Sequence, residues 1–131
     1  MNLPQAVIEA IVDARAKVRH GYPWWLRPFL MSDVAAITLG RRIYLAARVA
    51  PTSVDRLLRH ELVHVRQINR HGLLGFYWRY LAEFVRHYRA VRSVSRAYAM
   101  ISFEQEAMAA ELDLNSNPSL RSEPIIPPIS R

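Results

Sequence analysis

The chain has 131 residues, of which 51% are hydrophobic and 22% charged, as expected for one globular domain that can bury its own core. It contains no cysteine, which excludes disulfide bonds and thiolate ligands, so any bound metal must be held by histidine and carboxylate side chains. The formal net charge of +7 comes from arginines and a single lysine, Lys17, and its meaning depends on where the arginines lie.

The sequence shows no targeting or membrane-spanning segment. Residues 1–5 lack the basic stretch and apolar run that begin a signal peptide. No segment contains the roughly eighteen consecutive apolar residues that a transmembrane helix needs. We therefore expect a cytoplasmic protein without a transmembrane segment.

The first half of the chain predicts a helix followed by a hairpin. Apolar residues at helical spacing over 4–19 predict an amphipathic helix that ends near Gly21. An aromatic loop at Trp24-Trp25 follows. Segments 34–39 and 43–49 are rich in apolar and β-branched residues, and the Gly-Arg pair between them is typical of a tight turn. We expect a small antiparallel sheet here.

The second half predicts three helices and a tail. Helical patterns cover 53–71, about 74 to the high nineties with one interruption, and 103–113. The last segment, 115–131, holds four of the eight prolines and predicts an extended or disordered tail. The chain is therefore expected to form one α+β domain over residues 1–114, followed by this tail.

The most specific motif is His60-Glu61-Leu62-Val63-His64, which reads H-E-x-x-H within the 53–71 helix. Residues four apart lie on the same helix face, so both imidazoles can bind one metal ion. Glu61 points near a metal-bound water, whose proton it could accept. Two imidazoles and a carboxylate beside an apolar face are costly unless they are bonded, and a metal satisfies all three. The alternative is two partly exposed histidines beside an ion-paired glutamate.

A third protein ligand must come from elsewhere, because a catalytic zinc ion takes three and leaves the fourth position to water. We predict Glu104, which lies on a later helix. Ala107, one turn on, has a side chain small enough to let two helices approach closely. Glu106 and Glu111 on the same helix are alternatives, and so is Glu83 on the long helix.

These residues also resemble a known family. Residues 36–45 follow the pattern A-x-T-x-G-x-x-I, and residues 57–67 follow L-L-x-H-E-L-x-H-V-x-Q. Both are similar to the patterns of a bacterial family of small zincin-like metallopeptidases. The E-x-x-A at 104–107 resembles the third-ligand helix of gluzincins. The resemblance covers roughly residues 34–70 and this later tetrapeptide.

The resemblance implies a minimal zincin-like fold with Zn²⁺ bound by His60, His64 and Glu104, and with Glu61 as the general base of peptide-bond hydrolysis. It also implies that an extended peptide substrate pairs with the outer strand of the hairpin. One position departs from the pattern. Gluzincins often carry Asp four residues after the ligand Glu, where it orients a ligand histidine, and Met108 occupies that position here.

Hydrolysis also needs a hydrogen-bond donor for the oxyanion. Tyr88, Tyr98, His87 and His71 are candidates, and the sequence does not choose among them. Gln67 lies on the His60 flank of its helix, where it is either a neighbour of the metal site or a surface amide.

The long helix has an aromatic stripe and an arginine-rich side. The stripe, which we predict to face the core, consists of Tyr77, Tyr80, Leu81, Phe84, Tyr88, Val91 and Tyr98. The arginines favour solvent or an anionic partner, but the chain has no recognisable nucleic-acid-binding motif. A peptide or protein substrate is therefore favoured over nucleic acid. The alternatives to a zinc metallopeptidase are a zincin-like binding module with little or no turnover and a basic, nucleic-acid-associated protein.

Overall fold

Five helices and three short strands make up residues 3–30 and 33–116, the part of the chain that the computed structural model describes. In chain order they are α1 (Gln5–Asp13), β1 (Lys17–His20), β2 (Ala36–Leu39), β3 (Arg42–Leu45), α2 (Pro51–His71), α3 (Leu73–Val91), α4 (Val94–Ala99) and α5 (Ser102–Ser116), with a 3-10 turn at Arg27–Phe29. The predicted α+β class is confirmed. Within the described ranges, no helix is long and apolar enough to cross a membrane.

The sheet is mixed, with strand order β1-β3-β2. β2 and β3 form the predicted antiparallel hairpin, and Leu39 pairs with Arg42 across a turn in which Gly40 has a φ of 61°. Glycine adopts this left-handed conformation without a Cβ clash. β1 pairs with β3 in parallel, so the prediction of a wholly antiparallel sheet was wrong. β2 is an edge strand, because no other described strand pairs with its outer side.

The first helix ends earlier than predicted, at Asp13. Arg15 takes a left-handed conformation with a φ of 52°, and the N–H of Ala16 donates to the carbonyl of Ile11 at 2.9 Å. This helix closure usually uses glycine, so the sequence gives no signal for it here. Residues 17–20 can therefore pair with β3, which provides hydrogen-bond partners for their backbone groups.

Helix α2 carries the H-E-x-x-H motif and is central to the fold. It begins at Pro51, whose fixed φ suits the first helical position, and stops at Gly72, which has a φ of 77°. Its apolar face packs with α1 and β3 in a first core cluster. The buried members of this cluster are Val7, Ala14, Ile43, Leu45, Val54, Leu58, Leu62 and Val65. This packing leaves the histidine flank of α2 turned toward the later helices.

A second core cluster joins α2 to the later helices through Ile68, Phe76, Ile101 and Phe103. The rings of Phe76 and Phe103 stack with their centroids 4.8 Å apart. Arg92, with a φ of 53°, separates α3 from α4 and confirms the predicted interruption. α5 runs to Ser116, two residues into the segment predicted as a tail. The remainder of that predicted tail, 117–131, lies outside the described residues.

The aromatic stripe of α3 is only partly in the core. Tyr77, Tyr80 and Phe84 pack against the second cluster as predicted. Leu81 and Tyr88, and also Tyr98 on α4, are exposed, so the prediction was wrong for these three. The cause is that the apolar sector of α3 covers more than half of its circumference, so the spacing does not determine which part of that sector faces inward.

Candidate metal centre

The three residues predicted as metal ligands lie together. His60 and His64 are one turn apart on α2, and Glu104 comes from the first turn of α5, which packs across α2. The two Nε2 atoms are 3.1 Å apart. The Glu104 carboxylate lies 3.1 Å from Nε2 of His60 and 3.2 Å from Nε2 of His64. His64 and Glu104 are buried and His60 nearly so, and the three side chains could hold a metal ion.

Two features of α5 bring Glu104 to this position. Ala107 is fully buried, and its small side chain lets α5 approach α2. Glu83 of α3 accepts hydrogen bonds from the backbone N–H and the hydroxyl of Ser102, at 2.7 and 2.8 Å, and so fixes the first turn of α5. Glu83 was an alternative metal ligand in the sequence analysis, but its carboxylate instead binds Ser102 at the N-terminus of α5.

Both histidines are oriented through their second ring nitrogen. Nδ1 of His60 is 2.7 Å from a carboxylate oxygen of Glu111, and Nδ1 of His64 is 2.9 Å from Oε1 of Gln67. Because both partners are acceptors, each Nδ1 must carry the proton. In the neutral imidazole each Nε2 then has a lone pair available for a metal ion, whereas in the protonated ring Nε2–H donates to Glu104.

The orientation of Gln67 is fixed independently. Its side chain is buried, and its Nε2 donates to the carbonyl of Phe103 at 3.1 Å and to the carboxylate of Glu106 at 2.8 Å. These two acceptors assign Oε1 to the side that faces His64. Gln67 is therefore a neighbour of the site and not a surface amide. Glu106, an alternative ligand in the sequence analysis, contacts Gln67 here.

The electrostatics of the triad favour positive charge at its centre. Burial lowers the pKa values of His60 and His64, but the Glu104 and Glu61 carboxylates and the hydrogen bonds at Nδ1 together outweigh it, so both pKa values lie above the ordinary value. Burial raises the pKa of Glu104, but hydrogen bonds with the two histidines hold it well below the usual range. Two lone pairs and a carboxylate that converge in a buried place are stable only with a cation or protons between them.

Glu61 lies beside the triad and is also buried. Its carboxylate accepts a hydrogen bond of 2.6 Å from the hydroxyl of Thr38, which lies on β2. Burial raises the pKa of Glu61, and the Thr38 hydrogen bond and the two imidazoles offset this only in part. A carboxylate whose pKa is raised is a better proton acceptor near neutral pH. The role of Thr38 was missed because its partner lies 23 residues away in the sequence.

A cavity of about 840 Å³ opens onto these residues. Its lining includes the triad, Glu61 and all of strand β2, 36–39. Aromatic side chains from α3 and α4 form much of the rest, namely Phe76, Tyr77, Tyr80, Phe84 and Tyr98. Volume and lining are both typical of a ligand-binding cleft.

Two tyrosines lie at the cleft. The hydroxyl of Tyr80 donates to the Glu104 carboxylate at 2.6 Å, a contact that sequence reasoning did not foresee. Burial and then the charge of Glu104 raise the pKa of Tyr80, so it stays a protonated donor. Tyr98, one of the four predicted oxyanion donors, lines the cleft. The other three are not among the lining residues: Tyr88, His87 and His71.

Glu111 supplies the carboxylate that the gluzincin pattern places at the position of Met108. A ligand histidine is expected to donate to a carboxylate, and Glu111 accepts from His60 two turns after Glu104 on the same helix. We predict that Glu111→Ala weakens binding of a metal ion at the triad about 10- to 100-fold, because His60 loses the acceptor that fixes its tautomer. Competition with a chromophoric chelator would measure the change. Glu9→Ala, on the surface of α1, is the matched control. Equal affinities for the wild type and Glu111→Ala would contradict the assignment.

One family model matches the chain in the region of this site. The model described as the eCIS core domain matches residues 31–72, about a third of the chain. No curated protein and no solved structure matches the chain. The matched segment contains the hairpin and α2, and therefore Thr38, Glu61 and the two histidines, whereas Glu104 lies beyond it. The similarity thus coincides with the part of the site that α2 and β2 provide.

Proposed function

We propose that the protein is a zinc-dependent metallopeptidase with a minimal zincin-like fold. In this proposal His60, His64 and Glu104 bind Zn²⁺, and Glu61 is the general base. The observation that carries it is the convergence of two Nε2 lone pairs and one carboxylate within 3.1–3.2 Å of one another, next to a buried glutamate. A shared cation would satisfy all three groups at once.

The spacing of the ligand atoms fits zinc. Zn–N and Zn–O bonds of about 2.0–2.1 Å in a tetrahedron place neighbouring ligand atoms about 3.3 Å apart. The two Nε2 atoms are 3.1 Å apart, and each lies 3.1 or 3.2 Å from one of the two Glu104 carboxylate oxygens, which is close to this value. Two imidazoles and one carboxylate also form a donor set that suits zinc better than magnesium or calcium, which prefer oxygen ligands.

The chain supplies the other parts of a hydrolytic site. A bound zinc ion would provide a water of lowered pKa and polarise the scissile carbonyl. The Glu61 carboxylate would take up a proton from that water and pass it to the leaving amine. Thr38 holds this carboxylate in place, and Tyr80 holds that of Glu104. The hydroxyl of Tyr98 lies in the cleft beside Glu104 and Tyr80, and we assign it as the donor that turns to the developing oxyanion.

An extended peptide is the substrate that fits the cleft. β2 lines the cavity and is an edge strand, so its free backbone groups could pair with a peptide segment. The aromatic lining favours apolar side chains on either side of the scissile bond.

Metal analysis and chelation test the proposal. We expect the purified protein to contain stoichiometric zinc by mass spectrometry, and His60→Ala to contain none. A chelator should abolish cleavage of a fluorogenic peptide library, and added zinc should restore it. His20→Ala on the exposed edge of β1 is the matched control and should behave as the wild type. A wild-type protein that binds no metal, or a His60→Ala variant that keeps it, would overturn the assignment of the ligands.

A further inference from the structure

The outer face of α3 is apolar and open to solvent. We define it by Leu74, Trp78, Leu81, Val85 and Tyr88, which recur at alternating intervals of four and three residues. This spacing aligns them along one side of the helix. Leu74 is 83% exposed and Trp78 76%, and the other three are exposed as well. A continuous exposed row of this length marks a contact surface.

The surroundings of this face are positively charged. Residues 73–101, all of which the structure describes, contain five arginines and one carboxylate, for a net charge of +4. The carboxylate, Glu83, is bound to Ser102 and Arg79. Arg86 and Arg89 on α3 are exposed, and so are the arginines that follow, Arg92 and Arg96. The partner of this face should therefore be both apolar and anionic.

We propose that the outer face of α3 docks the protein on an anionic lipid surface. A helix that presents Trp and Leu on one side and arginines beside them is suited to lie in the plane of a bilayer interface. The indole of Trp78 suits the headgroup region, and the long side chains of Arg86 and Arg89 can reach lipid phosphates.

Two other occupants fit less well. A second copy of the chain would bring together two segments that each carry a net charge of +4. Nucleic acid would satisfy the arginines but would leave the aliphatic side chains of Leu74, Leu81 and Val85 without a partner. A lipid surface matches both the charge and the apolar row.

The face lies next to the cleft. Tyr77 lines the cleft, and together with Leu74, Trp78 and Leu81 it also lines a shallow groove. Docking would therefore hold the cleft close to the lipid surface. The docking itself does not depend on the proposed peptidase activity, since none of the residues of the outer face belongs to the metal site.

Vesicle sedimentation with the full chain tests this inference. We expect binding to vesicles that contain phosphatidylserine, weaker binding to phosphatidylcholine alone, and a decrease with added salt. The partition coefficient of the double variant Leu74→Ser/Trp78→Ser onto these vesicles should fall by about tenfold or more, because two large apolar side chains no longer insert into the lipid. Arg86→Gln/Arg89→Gln should show a loss of about tenfold on the anionic vesicles.

Controls come from other surfaces of the same fold. Val12→Ser on α1, at an exposed apolar position, and Arg66→Gln/Arg70→Gln on α2 should bind as the wild type does. In a Trp24→Phe/Trp25→Phe background, Trp78 is the only tryptophan, and its emission should shift to the blue on anionic vesicles.

Three results would overturn the inference. The first is the absence of binding to phosphatidylserine vesicles, and the second is equal binding by the wild type, Leu74→Ser/Trp78→Ser and Arg86→Gln/Arg89→Gln. The third is a wild-type protein that does not bind vesicles but sediments as a dimer, together with a Leu74→Ser/Trp78→Ser variant that sediments as a monomer. This result would assign the face to a second copy of the chain. Since all substituted side chains are exposed, circular dichroism should show that the variants fold.

Discussion

Glu61→Gln is expected to lower peptide cleavage between about a hundredfold and ten-thousandfold while bound zinc remains at the wild-type level. The amide is nearly isosteric with the carboxylate and can still accept the Thr38 hydroxyl hydrogen bond, so the fold and the metal ligands stay in place. It cannot accept a proton from water, which is the step that we propose for the buried Glu61 carboxylate. Initial rates on a peptide substrate, together with metal content, would measure both parts of the result.

The control and the opposite outcomes are distinct. Glu9→Gln, on the surface of α1, should leave both rate and zinc content unchanged. A Glu61→Gln variant that cleaves as fast as the wild type contradicts the general-base role. A wild-type protein that holds zinc and cleaves no peptide would instead favour the binding-module alternative.

Removal of Glu104 is expected to have the second large effect. Glu104→Ala should weaken zinc binding more than Glu111→Ala does, because it deletes a ligand and not a neighbour of one, and it should abolish cleavage. It should also lower the free energy of unfolding by about 1–3 kcal/mol, since the Tyr80 hydroxyl loses its acceptor. Competition titration with a chelator and denaturant unfolding of the metal-free protein would measure the two effects separately.

Glu104→Gln separates these two effects. The amide oxygen can still accept from Tyr80, so stability should recover most of the loss, whereas the weaker ligand should leave zinc binding impaired. Zinc affinity equal to that of the wild type in Glu104→Ala would show that another carboxylate completes the site, with Glu111 the nearest candidate.

The local parts of the fold could be predicted from the sequence. The H-E-x-x-H spacing defines both the helix and the face on which its histidines lie, and Gly72 marks where that helix ends. The Gly-Arg pair at 40–41 places the hairpin turn. In each case the signal lies within a few residues, and it acts through backbone geometry or helix periodicity.

The remaining parts depend on contacts between distant segments. Strand β1 forms because β3 provides backbone hydrogen-bond partners, and the helix before it ends at Asp13 and is closed by Arg15 instead of a glycine. The orientation of α3 depends on which of its apolar sides meets Phe103. Within the site, the contacts of Thr38 with Glu61 and of Glu111 with His60 span 23 and 51 residues, so no local pattern indicates them.

One helix reaches His60 from two directions. Glu104 meets Nε2 and Glu111 meets Nδ1, and both belong to α5, so any displacement of α5 from α2 breaks the two contacts in a single event. Metal affinity and attachment of this helix are consequently linked equilibria. An ion that binds only when α5 is packed on α2 raises the free energy of separating the two helices by RT ln(1 + [Zn]/Kd). Without a bound ion, α5 should separate from α2 more readily than the hairpin separates from the first core cluster.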